Sequence, residues 1–199
     1  MNDELIKQIK KPVFRQIPLS EGLAMRAPLV YHEKMDGKWA VQQIGKALCA
    51  GELMRDGTFW AFDLLALDGS DCRRRPLTER LHWLQGVNVP IVASGHGGEF
   101  LEAILARGGE GVVIKAPDSP FGVEWIKCKR ETNYHLIVAE KNIAKSQIRL
   151  IDNEGVDCGW VPWLTGFDQI QIGQTVEVLA YGRHASGKLR EARRNQNPN

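Results

Sequence analysis

From Val30 onward, the pattern of apolar and polar positions reads as short strands joined by tight turns, with few helices. The run Val30-Tyr31-His32-Glu33 fits the end of a strand, and Asp36-Gly37 fits the turn that follows it. Lys38 to Ile44 and Ala47 to Met54 are expected to pair as a hairpin around Gly45-Lys46. Thr58 to Leu67 is almost wholly apolar, so it should be buried on both faces until Asp68-Gly69 ends it. Pro76 to Leu81 opens a short helix with proline near its first turn. A second helix is expected from Glu99 to Arg107, stopped by Gly108-Gly109. Ahead of Val30, the prolines at 12, 18 and 28 argue against a long helix.

The pattern changes after Lys129. Tyr134 to Glu140, Gln147 to Ile151, Gly159 to Trp163, Thr175 to Tyr181 and Lys188 to Arg193 read as five strands separated by Gly, Asn, Asp and Ser. Such a set suits a small β-barrel of the oligonucleotide-binding (OB) kind, which would serve equally well as a protein-binding module. The expected organisation is therefore α+β in two domains, residues 1–130 and 131–199, within a chain of 199 residues. The polar stretch Asn195 to Asn199 is the one low-complexity segment.

Composition narrows the picture modestly. With 43% hydrophobic and 25% charged residues, the balance is that of a soluble globular protein. A formal net charge of +2 is too small to announce nucleic-acid binding. Arg73-Arg74-Arg75 and the segment Lys188 to Arg194 are locally basic; each can neutralise phosphates or simply be solvated surface. No apolar stretch approaches the roughly 20 residues of a membrane span. The beginning, Met1 to Lys7, carries acidic residues and lacks the apolar core of a secretory signal, so a cytoplasmic location is expected. Cys49, Cys72, Cys128 and Cys158 are scattered without metal-ligand spacing and are expected as reduced, mostly buried thiols.

Four segments carry residues suited to chemistry. Lys34-Met-Asp36-Gly37 holds an amine at a strand end, where it can act as a nucleophile if kept neutral. Glu110-Gly111-Val112-Val113-Ile114-Lys115 places a carboxylate before an apolar strand and a lysine after it. In Trp125-Ile126-Lys127-Cys128-Lys129, the strand period puts Trp125, Lys127 and Lys129 on one face. That face either meets polyphosphate or is an exposed strand edge guarded by lysines. Finally, Glu52 lies in an apolar strand where a carboxylate needs a partner. Phe62, by base rates, belongs to the core.

Taken in order, Lys34-x-Asp36-Gly37, Gly51-Glu52-Leu53, Phe62-Asp63-Leu64-Leu65 with Asp68-Gly69, Pro76-Leu77 to Arg80-Leu81, Glu110 to Lys115 and Trp125-Ile126-Lys127-x-Lys129 resemble the motifs of ATP-dependent DNA ligases. These belong to the covalent nucleotidyltransferases, with RNA ligases and mRNA capping enzymes. The resemblance spans about Val30 to Lys129, more weakly to Arg193, and is to the minimal, phage-type form. It implies an ATP-grasp-like ligase nucleotidyltransferase domain of antiparallel sheets with few helices, followed by an OB-fold barrel.

By position, the resemblance implies that Lys34 attacks the α-phosphate of ATP and becomes Lys-AMP. Glu52 would bind ribose, and Phe62 would stack on adenine. Glu33, Asp36, Gly37, Lys115, Lys127 and Lys129 would complete the nucleotide site. Glu110, with Asp36, would hold Mg²⁺ or Mn²⁺. Lys38, Lys46, Arg190 and Arg193 would meet DNA. The implied substrate is nicked double-stranded DNA, sealed by a monomer; an RNA ligase, another adenylyltransferase or a catalytically degenerate binding protein are the alternatives. The chain departs from the family in three places. Trp39 stands where an arginine is usual, Lys46 is the one cation between Ala40 and Gly51, and no terminal Arg-x-Asp-Lys is evident, with Arg193-Arg194 as its stand-in.

Overall fold

A computed structural model describes residues 3–26, 28–163 and 165–194; the tail Asn195 to Asn199 lies outside the described residues. The chain forms two compact units, which meet in sequence between Lys129 and Arg130.

The first unit begins with α1 (Asp3–Gln8), β1 (Phe14–Ile17), α2 (Leu19–Ala24) and β2 (Val30–Glu33). It continues with β3 (Lys38–Ile44), β4 (Ala47–Leu53), β5 (Phe59–Leu67) and the short β6 (Ser70–Asp71). Then come α3 (Leu77–Leu84), β7 (Ser94–Gly95), α4 (Gly97–Ala106), β8 (Gly111–Lys115) and β9 (Trp125–Lys129). Two sheets result, ordered β1-β9-β8-β2-β7 and β3-β4-β5-β6. All pairings in them are antiparallel except β1 with β9.

The β3–β4 hairpin turns at Gly45, whose φ of 57° favours glycine. The apolar run at 59–67 is a strand buried along nearly its whole length, with Leu64, Leu65 and Ala66 sealed from solvent. β1 was not foreseen. Its four residues sit between prolines and pair with a strand more than a hundred residues later. With β1 on one side and β8 on the other, β9 is an interior strand. The lysines of β9 therefore do not guard an exposed sheet edge.

Packing across the first sheet is close where glycines permit it. A Cβ at Gly22 of α2 would stand 2.3 Å from the Cys128 sulfur, and Tyr31 places its hydroxyl 3.0 Å from the Gly22 carbonyl. None of the four cysteines forms a disulfide, and all are buried.

The second unit carries β10 (Thr132–Asn142), β11 (Gln147–Ile151), β12 (Asp157–Pro162), β13 (Thr175–Ala180) and β14 (Arg193–Arg194), in the order β12-β11-β10-β13-β14. The Leu189 amide reaches the Cys158 carbonyl at 3.0 Å, so the segment after β13 returns to β12 and curls the sheet. Its centre is apolar, with Val138, Ile148, Leu150 and Val178 fully buried. The expected strand at 188–193 is interrupted: Glu191 takes a left-handed φ of 51°, and only Arg193–Arg194 pair with β13.

One buried ion pair stands out in the first unit. Asp63 and Arg80 are both wholly buried, joined by hydrogen bonds of 2.7 and 3.0 Å. Arg80 also donates to the carbonyls of Arg75 and Ser119, so one guanidinium ties β5 to two loops. Removing one partner of such a pair strands a charge and costs about 3–5 kcal/mol. Arg80→Leu should lower the urea-unfolding free energy by that amount, whereas Lys46→Ala, which breaks only the exposed pair with Asp68, should leave it unchanged.

Candidate active site

Strand register assembles the site. Glu33 of β2 pairs with Val112 of β8, and Gly111 pairs with Lys129 of β9. Lys34, one residue beyond β2, donates its amide to the Gly111 carbonyl at 2.9 Å. Three adjacent strands thus bring Lys34, Glu110 and Lys129 to one level. Gly111 has φ 147°, and a Cβ there would stand 2.1 Å from the Cys128 carbonyl. Glycine is required for the strands to approach so closely.

The side chains converge accordingly. The Lys34 ammonium lies 2.5 Å from Glu110 Oε2, and Lys129 Nζ lies 3.6 Å from Glu110 Oε1. Beside them, Glu33, Lys34, Glu52, Phe62 and Lys115 line one cavity with Phe14, His32, Met35, Val113 and Trp125. Its free volume is about 30 Å³, so the side chains nearly fill it. Trp125 is the hub: Phe14, Phe62 and Phe121 meet it edge to face at 5.6, 5.6 and 5.3 Å. Lys115 Nζ lies over its indole at 3.8 Å, and Lys127 Nζ lies over the Phe14 ring at 3.7 Å.

Beneath the cavity runs a polar chain that sequence reasoning missed, apart from Lys115. Lys115 Nζ stands 3.0 Å from His32 Nδ1 and 3.9 Å from Asp63 Oδ2. Burial, then the charges of Lys115 and Arg80, hold His32 well below the usual histidine range, so its ring is neutral. A lysine donating to Nδ1 leaves the proton on Nε2, which has no hydrogen-bond partner among the described residues. Burial also pushes Lys115 down to about 7, opposed by Asp63. Glu52 is raised by burial, with Lys34, Lys11 and Lys127 pulling it the other way. These cations answer the need of an apolar-strand carboxylate for partners.

Other predicted residues lie apart from this cavity. Asp36 is exposed, and with Gly37 and Lys38 it lines a separate cavity of about 470 Å³ that also includes Arg55. Arg55, at the β4–β5 turn, carries no motif in sequence. Lys46 sits at the opposite end of the β3–β4 hairpin from Lys38, roughly 20 Å along the strands. Glu33 pairs with Arg107 from the end of α4. In the second unit, Arg193 pairs with Glu131 beside the Tyr181 hydroxyl, and Arg190 closes the 182–190 loop through its backbone amide and the Gly182 carbonyl.

A divalent cation can be weighed against the donors present. Glu110 Oε1 is buried and makes no hydrogen bond among the described residues, with Lys129 Nζ 3.6 Å away, so it has a lone pair that a cation could share. Among the described residues no three His, Cys, Asp or Glu side chains gather. That donor set fits a hard ion such as Mg²⁺, which needs one or two carboxylates and takes its other ligands from water and substrate phosphates.

The Lys115 geometry has a pH consequence. Its folded value near 7 lies below the unfolded lysine value of about 10.4, so the unfolded chain binds more protons between these limits. Stability contributed at this position should rise from pH 7 to about 10. Unfolding titrations should accordingly find Lys115→Met most favoured relative to the parent near pH 7, the difference moving toward the parent at pH 10.

No family model matches the chain. Among curated proteins it is 38% identical over 89 residues to a probable DNA ligase of Beutenbergia cavernae, covering 39% of this chain and 17% of that protein. It is 34% identical over 93 residues to DNA ligase 1 of Korarchaeum cryptofilum, covering 40% and 17%. The chain thus matches only a minor part of these much longer proteins. Among solved structures, a Lig E DNA ligase described as binding DNA with a minimal scaffold superposes with a TM-score of 0.68 at 16% identity, over 92% of this chain and 97% of that one. A mycobacterial DNA ligase D complexed with ATP superposes with a TM-score of 0.50 at 16% identity, over 91% and 93%. Over about 90 residues the chain is thus similar in sequence to DNA ligases, and it shares the fold of a solved ligase, antiparallel sheets with few helices followed by a small curled sheet.

Proposed function

We propose that the chain is a minimal ATP-dependent DNA ligase that seals 5′-phosphate/3′-hydroxyl nicks in double-stranded DNA, with residues 1–130 as the adenylation domain and 131–199 as the OB-fold domain. The observation that carries this reading is the Lys34–Glu110–Lys129 cluster at the mouth of an aromatic cavity. It acts as a monomer in the cytoplasm, on the nicks left by replication, repair and recombination.

The first step forms a bond from Lys34 Nζ to the α-phosphorus of ATP and breaks the bond to pyrophosphate, with loss of a proton from the amine. Phe62 and Trp125 offer the base an aromatic slot, and the ring N–H groups of His32 and Trp125, which have no hydrogen-bond partner among the described residues, suit its ring acceptors. Because the cavity is nearly filled, the nucleotide must displace side chains as it enters, Lys115 over Trp125 foremost. Glu52 takes the ribose hydroxyls. Lys127 and Lys129 offset charge on the phosphates. Mg²⁺ held by Glu110, with Asp36 as a further candidate, would stabilise charge on the transferring phosphoryl group. With a cation bound by Glu110, the Lys34 ammonium would lose its counter-charge and give up a proton to solvent more readily, leaving the neutral amine to attack.

In the second step an oxygen of the nick 5′-phosphate attacks the adenylate phosphorus. The P–N bond breaks, the proton returns to Lys34 Nζ, and AMP is joined to the DNA end. In the third, the 3′-hydroxyl attacks that 5′-phosphate and AMP leaves. Lys38 and Arg55, flanking the cavity beside the Lys34 turn, are cations suited to the approaching strand, with Lys46, Arg190 and Arg193 as further DNA contacts.

Incubation with α-³²P-ATP and Mg²⁺ tests the reading. Label should attach covalently to the parent, be lost on acid treatment, and be absent in Lys34→Ala; Glu110→Ala should lower labelling at least a hundredfold. A parent that takes no label overturns the proposal, and sealing of nicked RNA in preference to nicked DNA would reassign the substrate.

A further inference from the structure

Away from Lys34, the first unit holds a further cavity of about 460 Å³ that the proposed chemistry does not use. One wall is the segment joining α1 to β1, with Lys10 and Lys11 exposed; the other is the loop after β6, with Arg73 and Arg74. The arginine loop is built into the fold. Its Arg75 carbonyl accepts from the buried Arg80, and its Arg73 carbonyl accepts from the Phe121 amide at 2.8 Å. Arg73 forks onto Asp71 at 2.7 to 3.1 Å, and Asp71 is held below the usual carboxylate range chiefly by that arginine. Asp71 is the single carboxylate among the lining residues, facing four cations. Lys10 and Lys11 have no ion-pair partner among the described residues.

The floor between these walls is apolar, with Phe121 half-buried and Val13 85% exposed. Phe121 meets Trp125 edge to face at 5.3 Å, and Trp125 lines the proposed nucleotide site. Lys11 acts electrostatically on Glu52 in that same site. The two cavities are therefore neighbours across one aromatic partition.

We propose that this groove binds the sugar–phosphate backbone of a nucleic-acid strand. Cations on opposing walls with an apolar floor between them suit successive phosphates bridged by sugars, whereas a lone phosphate needs donors converging on one point. Identifying the strand as the DNA substrate rests on the ligase reading; the groove itself does not.

The test measures binding of the full chain to a fluorescent nicked duplex over a range of salt. In Lys10→Gln/Arg74→Gln, affinity at low salt should fall at least tenfold. The slope of log K against log salt should fall by about 0.9 for each phosphate no longer neutralised, one or two in all. Lys-AMP formation should be unchanged. Arg26→Gln/Lys145→Gln, which removes two exposed cations elsewhere, should leave the slope as in the parent. An unchanged slope in the groove variant, or an equal loss in the control, overturns the proposal. So does a raised KM for ATP in lysyl adenylation with an unchanged slope, which would make the groove a triphosphate site. If the parent forms no Lys-AMP while the groove variant still loses slope, the ligase reading fails and the groove stands.

Discussion

The site depends on the register of three neighbouring strands. Because β2 pairs with β8 from Val30 to Glu33, and β8 pairs with β9 from Gly111 to Ile114, the residues at their ends meet without any loop having to place them. The amide of Lys34 on the carbonyl of Gly111 fixes the nucleophile candidate relative to the carboxylate one residue earlier. A slip of one residue in either ladder would turn Glu110 or Lys129 to the opposite face. The missing Cβ at Gly111 protects that register, since any side chain would collide with the backbone of β9.

Much of the secondary structure was legible because it is local. The 38–44 and 47–53 hairpin declared itself through two short runs flanking a Gly-containing turn, and the buried strand at 59–67 through its nearly unbroken apolar run. What escaped is what depends on partners far away in sequence. β1 is four residues of middling polarity, and only its pairing with β9 makes it a strand. That same pairing converts a stretch readable as a lysine-guarded edge into the middle of a sheet. The break near Glu191 was likewise invisible, since a single left-handed residue leaves no trace in the apolar pattern.

The candidate site divides the same way. Lys34, Glu52, Phe62, Glu110 and Lys115 could be picked out by residue type and motif order, and the fold gathers four of them round one cavity with Glu110 at its edge. Phe14, His32 and Arg55 could not, since an aromatic before a polar strand, a histidine in a strand and an arginine in a turn are ordinary. Asp63 and Arg80 belong to segments that the motif comparison quoted, yet nothing in sequence said that they face each other. Their pairing emerges only when β5 and α3 pack. Lys46 illustrates the reverse: a hairpin lysine attractive by position sits at the end remote from Lys38.

The buried polar chain explains how an apolar cavity tolerates so many cations. Arg80 is balanced by Asp63, and the Lys115 value near 7 lets that lysine shed its charge at modest cost. Lys115 then serves the aromatic slot as a donor to His32 and as a cap over Trp125 without adding a fixed charge. At the mouth the logic inverts. Lys34 and Lys129 both approach Glu110, and Lys34 also acts on Glu52, so the mouth is a cluster of charged groups. On the proposed ligase reading, an aromatic slot beside a charged mouth would suit the two halves of a nucleotide. Entry of the base would displace packed side chains, and attraction between the phosphates and the lysines would offset that cost.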